Sequence, residues 1–241
     1  MKIWCFTLLF ALTALSVTNA AEKDFHPGVI GTDDRVRVGA TPGPWQAIGQ
    51  VNGASYRNIN RCTGTLVARN IVITAAHCLV DHIKGTPLPP HKVHFLAGPP
   101  GAALKTHANA KCLRFHPQYP VRDPADPKPV ALGKAWPDDI EHDVAAIVLE
   151  KDLDLEPAPM AKAPVSESDI NLVHAAYPMD RRYALSAHFN CRLTENETGP
   201  VWHTDCDTHP ASSGGPVFIG KGGELRLGAI MVGAVQREKS L

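Results

Sequence analysis

The sequence predicts an all-β protein, built as one large domain or as two small ones. Three observations point there. The chain of 241 residues is rich in turn formers, with 21 prolines and 19 glycines. Its apolar residues come in short strand-like runs between turn signals. Sustained helical periodicity is hard to find. A chain of this length can bury a sizeable core.

Charge excludes some partners. Lys+Arg and Asp+Glu both total 24, which gives no electrostatic case for nucleic acid or for an anionic membrane. The first twenty residues read as an export signal: Lys2, a mostly apolar run over 3–17, then small residues at Thr18-Asn19-Ala20, with cleavage after Ala20. That run is too short for a membrane anchor. The mature chain is expected to be secreted or periplasmic, with 21–28 as a short polar leader. Six cysteines suit an oxidising compartment. Cys5 leaves with the signal, and the remaining odd number cannot all pair internally.

From Val29 the chain reads Val-Ile-Gly-Thr-Asp-Asp-Arg35. A strand is predicted over 45–51, closed by an Asn52-Gly53 turn. Next comes Cys62-Thr-Gly-Thr-Leu-Val-Ala-Arg-Asn-Ile-Val-Ile-Thr-Ala-Ala-His77-Cys78. Strands over 63–68 and 71–74 flank a turn at Arg69-Asn70. A hairpin there brings its ends together, so Cys62 and Cys78 can be bridged. Closing such a loop is worth roughly 3 kcal/mol in the chain-entropy model. The bridge would immobilise the backbone beside His77, which makes that histidine a candidate base.

Residues 79–142 are loop-rich, with strands predicted over 93–97 and 108–115 and a proline-rich surface loop over 120–137. His91-x-x-His94 has metal-like spacing but no cysteine or carboxylate nearby, so no zinc is expected. Asp143 immediately precedes an apolar strand-like run over 144–149. A carboxylate there can accept the Nδ1–H of His77 and support an imidazolium. Asp138 and Asp139 compete but lie in a polar turn. After a Pro/Ala-rich linker over 156–164, strands are predicted over 170–176, 184–193, 201–206, 217–219 and 225–235.

The stretch Asp205-Cys-Asp-Thr-His-Pro-Ala-Ser-Ser213-Gly-Gly-Pro-Val-Phe218 carries the candidate nucleophile. A serine hydroxyl needs a base for its proton and backbone N–H groups for the oxyanion. Adjacent glycines allow the tight turn that brings such groups together. Alone, Ser-Gly-Gly-Pro is equally a polar turn; the histidine and aspartate elsewhere make it more.

Thr-Ala-Ala-His77-Cys78, Asp143-Val-Ala and Ser213-Gly-Gly-Pro216, in that order, resemble the three triad motifs of the chymotrypsin-like serine peptidases. Val29 to Arg35, Ala176-Tyr-Pro-Met-Asp180 and Cys191…His203-Thr-Asp-Cys206-Asp-Thr208 are similar to the bacterial glutamyl-endopeptidase-like branch rather than to digestive trypsins. The resemblance covers about 29–233. It implies two packed six-stranded antiparallel β-barrels, over 29–155 with His77 and Asp143 and over 156–241 with Ser213. It also implies a Cys191–Cys206 bridge, which leaves Cys112 unpaired.

The implied activity is a serine endopeptidase working through an acyl-enzyme. Ser213 is the expected nucleophile, His77 the base, Asp143 its orienting carboxylate, and the N–H groups of Ala211 and Ser213 the oxyanion hole. The expected substrate is a polypeptide, with no metal or organic cofactor, and the protein a monomer. An α/β-hydrolase esterase is excluded by the reversed order of serine and histidine. The competing reading is an impaired homologue that binds peptides or proteins.

Several residues depart from the pattern. Ala211 stands where the family has glycine, and its Cβ disfavours the backbone orientation required there. Ser212 replaces the aspartate that pairs with a new N-terminus in trypsins, so that mode of activation is not implied. Thr208 matches a pocket-lining threonine, but Ile230 stands near the place of a pocket histidine and offers a substrate carboxylate no donor. Asp207 can attract a basic side chain or face solvent. The family's last strand and terminal helix have no counterpart, so the second barrel is expected to be incomplete at its C-terminal end. Asn196-Glu-Thr198 is a glycosylation sequon.

Overall fold

The hairpin around Arg69-Asn70 is the seam on which the structure is built. A computed structural model describes residues 28–39, 43–55, 59–98, 106–123, 125, 140–162, 171–194, 199, 201–220 and 224–234. In it β3 (Ile59–Ala68) and β4 (Ile71–Thr74) pair antiparallel with Thr65 opposite Ile73. They continue into a closed six-stranded barrel with β9 (Ala145–Leu149), β8 (Thr106–Phe115), β7 (Val93–Ala97) and β2 (Ile48–Ala54), in that order. Buried and half-exposed positions alternate along β7 and β9, the period-two pattern of strands with one face on a core. Val51, Leu66, Val72, Phe95 and Ile147 fill the interior.

The second unit is a five-stranded antiparallel sheet ordered β1 (Val36–Arg37), β11 (Ser186–Cys191), β10 (Leu172–Ala176), β12 (Pro216–Ile219) and β13 (Arg226–Ile230). All five residues of β10 are buried, which accounts for its unbroken run of non-charged residues. A small pair, β5 (Val80–Asp81) with β6 (Thr86–Pro87), caps the segment after His77. Among the described residues there is no α-helix, only short 3-10 turns, and none is long or apolar enough to cross a membrane. This is the chymotrypsin-like double-barrel architecture, with the second unit open among the described residues.

Three expectations need correction. Asn52-Gly53 is no turn: β2 runs through it, pairing Gly53 with both Asn60 and Val93. The site is close-packed: an added Cβ would lie 2.6 Å from Leu88 Cδ1, so a larger residue would have to displace that side chain. Residues 201–206 make no strand, only a bridge between Thr204 and Leu193. The chain from Gly28 to Val38 belongs to the second unit rather than to the first barrel, because Val36 pairs with Ala187 and the Val38 amide donates to the Leu185 carbonyl at 2.8 Å. The signal, the leader up to Pro27, Asp138, Asp139 and the Asn196 sequon lie outside the described residues, whereas Gly28, the last residue assigned to the leader, is described and docks on Thr208.

Candidate active site

Strand register brings His77 and Asp143 together. Thr74 at the end of β4 pairs with Ala145 at the start of β9, so the residues just beyond each strand end meet. His77 sits in the 3-10 turn Ala76–Leu79, anchored by a disulfide between Cys78 and Cys62. The buried Asp143 carboxylate accepts twice from it: Oδ1 from the His77 backbone N–H at 2.8 Å, and Oδ2 from Nδ1 at 2.6 Å. The imidazole is thus fixed in rotation and tautomer, while its side chain stays 21% exposed. Its other nitrogen, Nε2, is left for the cleft.

That cleft, of about 380 Å³, is lined by His77, Ser213, Cys62, Cys78, His82 and the 59–61 segment. His82 was not legible as a site residue. Its ring centroid lies 6.4 Å from that of His77. Burial, with the charge of His77 adding to it, holds His82 below the usual histidine value. His82 therefore stays neutral beside the candidate base at neutral pH.

The loop bearing Ser213 is set by hydrogen bonds from both units. The Ser213 carbonyl accepts from the Thr63 N–H at 2.8 Å. The fully buried Thr63 hydroxyl donates to the Ala211 carbonyl at 3.0 Å and accepts from the Tyr177 N–H at 3.0 Å. Gly214 has φ +77, and an added Cβ would sit 2.1 Å from Thr74 Oγ1 and 2.3 Å from the Thr63 carbonyl, so only glycine fits. Ala211 adopts φ 75, the left-handed conformation glycine would take. The alanine therefore holds a glycine-type φ at about 1–2 kcal/mol of strain. Ser212 is buried, and its hydroxyl accepts from the His209 N–H at 3.3 Å, a bond internal to the loop.

The pocket candidates fall differently. Thr208 is buried and its N–H donates to the Gly28 carbonyl at 2.8 Å. Ile230 lies in β13 opposite Pro216. Neither is among the residues lining the cleft that holds Ser213. The neighbour of Ile230, Met231, is the residue that meets the Ser213 loop: its carbonyl accepts from Gly214 at 2.6 Å and its N–H donates to Gly215 at 2.8 Å. Asp207 neither faces solvent nor awaits a basic side chain. It is 1% exposed, and both oxygens accept backbone N–H groups, from Ile30 and Asp34, each at 2.8 Å.

Cys191 and Cys206 are bridged, as the resemblance implied, and Cys112 is free. His94 of the metal-like pair shares a hydrogen bond with Asn109 Oδ1 at 2.8 Å and stacks on His107. Cys62, His77 and Cys78 cluster at ligand distance, but the disulfide occupies both sulfurs.

Comparison with known proteins agrees with this fold. Among solved structures, the chain is similar to a glutamyl endopeptidase captured with MPD, with a TM-score of 0.63 and 16% identity over 84% of this chain and 86% of that one. It also matches the protease Anisep from Arthrobacter nicotinovorans, with a TM-score of 0.61 and 19% identity over 83% of this chain and 89% of that one. At these identities the likeness speaks to fold. Human serine protease 23 is 30% identical over 166 residues, 66% of this chain and 43% of that protein, and the rat counterpart is 29% identical over 168 residues. The chain thus spans under half the length of the curated relatives it matches. A family model for the trypsin-like peptidase domain matches residues 62–226, which takes in His77, Asp143 and Ser213. On that match, which covers most of the chain, the protein belongs to the trypsin-like peptidase family.

Proposed function

We propose that the chain is an exported serine endopeptidase that cleaves polypeptides through an acyl-enzyme. The observation that carries the reading is the double acceptance by Asp143 from His77, with His77 and Ser213 lining one cleft. In the proposed reaction His77 Nε2 takes the Ser213 proton as Oγ attacks the scissile carbonyl. The N–H groups of Ala211 and Ser213 receive the developing oxyanion. The imidazolium, held by Asp143, then protonates the departing amine, and a water activated by the same nitrogen releases the acyl group. No organic cofactor or metal enters this scheme.

The binding-only reading draws on one observation, the strained Ala211.

A fluorophosphonate probe separates the two. The mature protein is expected to be labelled at Ser213, with no labelling of folded Ser213→Ala. Peptide-library turnover should show cleavage, and Ala211→Gly should raise stability by about 1–2 kcal/mol while the labelling rate stays within about threefold, because alanine already holds the glycine-type φ. A folded wild-type chain that neither reacts nor cleaves, even with Ala211→Gly, would sink the enzymatic reading.

A further inference from the structure

The segment 28–35 lies far from Ser213 in sequence and closes on the nucleophile loop in space. Asp207, six residues before Ser213, accepts N–H groups from Ile30 and Asp34 across separations of 177 and 173 residues. Those amides aim backbone dipoles at the buried carboxylate, and His188 flanks it, with Nδ1 accepting the Asp207 N–H at 2.8 Å and lying 3.5 Å from Oδ2. Beside it the Thr208 N–H donates to the Gly28 carbonyl at 2.8 Å. Gly28 has φ +86, and an added Cβ would lie 2.6 Å from Thr208 Cγ2, so close docking needs a glycine there.

The third hold is ionic. Arg35 is 5% exposed and grips Asp33 with Nε and Nη2, both at 2.9 Å, and Asp180 with Nη1 and Nη2 at 3.3 and 2.8 Å. Arg181 closes the network on Asp33 at 2.6 Å. From there it reaches the loop twice: Asp180 faces His209 Nδ1 at 3.5 Å, and the Met179 N–H donates to the Pro210 carbonyl at 2.7 Å. Residues 207 to 210 are therefore tied on one side by 28–35 and the 179–181 turn. On the other side Thr63 holds Ala211 and Ser213. The backbone that must present the oxyanion donors is stretched between these two holds.

We propose that segment 28–35 is a strut for the nucleophile loop, with Asp207 and Arg35 as positioning residues for the chemistry at Ser213. The proposal rests on the reading of Ser213 as nucleophile. Internal amides docked on Asp207 supply the order that, in trypsins, a terminal ammonium supplies to the aspartate replaced here by Ser212. Displacing the strut frees a buried carboxylate and lets residues 207 to 211 drift, and misplacement of about 1 Å is enough to cost on the order of 100-fold in rate.

The test uses the full chain with Asp207→Asn, Arg35→Lys and Ile30→Pro. Asparagine turns one acceptor into a donor facing an N–H, lysine keeps the charge but loses the fork, and proline deletes one amide donor at an exposed position. The readouts are the fluorophosphonate rate constant, corrected for the folded fraction measured by urea unfolding, and the kcat–KM split on a peptide. We expect the rate constant and kcat to fall about 10- to 100-fold, with KM changed by less than about threefold. Folded variants reacting at the wild-type rate, or a rise in KM with kcat intact, would overturn the proposal. If Asp207→Asn does not fold, Ile30→Pro and Arg35→Lys decide the matter. Should the wild-type chain itself not react, the nucleophile reading fails separately. Hydrogen exchange at residues 208–213 then tests the strut: faster exchange in Ile30→Pro and Arg35→Lys supports it, and unchanged exchange overturns it.

Discussion

Replacing Asp143 with asparagine is expected to lower kcat by about 10,000-fold while leaving the fold intact. The size of the effect comes from tautomer control rather than from lost charge alone. Asp143 Oδ1 accepts the His77 backbone N–H, and Oδ2 accepts from Nδ1. Asparagine can keep the first bond with its carbonyl oxygen, which places its NH₂ against Nδ1. An NH₂ donor there requires a lone pair on Nδ1, so the proton moves to Nε2. That nitrogen can then no longer take the Ser213 proton. The expected signature is a collapse of kcat with an unchanged urea midpoint. Retention of more than a tenth of wild-type kcat would remove Asp143 from the proposed mechanism.

The second large effect is acid sensitivity centred on His174. This β10 residue is buried beneath the nucleophile loop, where an added Cβ on Gly215 would lie 3.1 Å from its ring. Its Nδ1 meets the Pro216 carbonyl at 3.2 Å, so Nδ1 carries the hydrogen of the neutral ring. Nε2 is buried without a partner, and protonating it would place an unsatisfied N–H in the core. Burial, outweighing the Pro216 bond, lowers the His174 pKa from 6.5 to about 4. The unfolded chain thus takes up a proton near pH 6.5 that the folded chain refuses until about pH 4. Stability from this group is complete above pH 6.5 and declines as the pH falls toward 4, by about 3 kcal/mol in all. Asp33, drawn down to about 2 by its hydrogen bond to Arg35, titrates below that window. Urea unfolding between pH 7.5 and 4.5 should therefore show a steep loss in the wild type and a flatter one in His174→Phe. Equal slopes would refute the assignment.

Local chemistry explains what the sequence disclosed. The 71–74 and 93–97 strands lie where their β-rich composition placed them. The Cys62–Cys78 bridge follows from a short hairpin whose partners are neighbours in sequence. His77 and Asp143 were legible because each directly adjoins an apolar strand. Long-range contacts decided the rest. Asn52-Gly53 carries a strong turn signal, but two flanking strands offer its amides and carbonyls better partners. Asp207 has the composition of a solvent-facing loop residue, and the amides its carboxylate accepts from stand more than 170 positions away. Thr63 gave no signal either, since its role depends on Ala211 and Tyr177 arriving from the other unit.

The pairing of β1 with β11 also sets an order of assembly. Every strand of the closed barrel lies between Ile48 and Leu149, so that half can close while the rest of the chain is still being made. Val36 must wait for Ala187, and the amides of Ile30 and Asp34 must wait for Asp207. Joining such distant segments closes a long loop, a step expected late in folding. Pulsed hydrogen exchange during refolding should protect β3 and β9 before Ile30 and Asp34; simultaneous protection would contradict this. On this order the His77–Asp143 pair is set before the loop that carries Ser213, whose neighbours Asp207 and Thr208 take their partners from the 28–34 segment only at that late step.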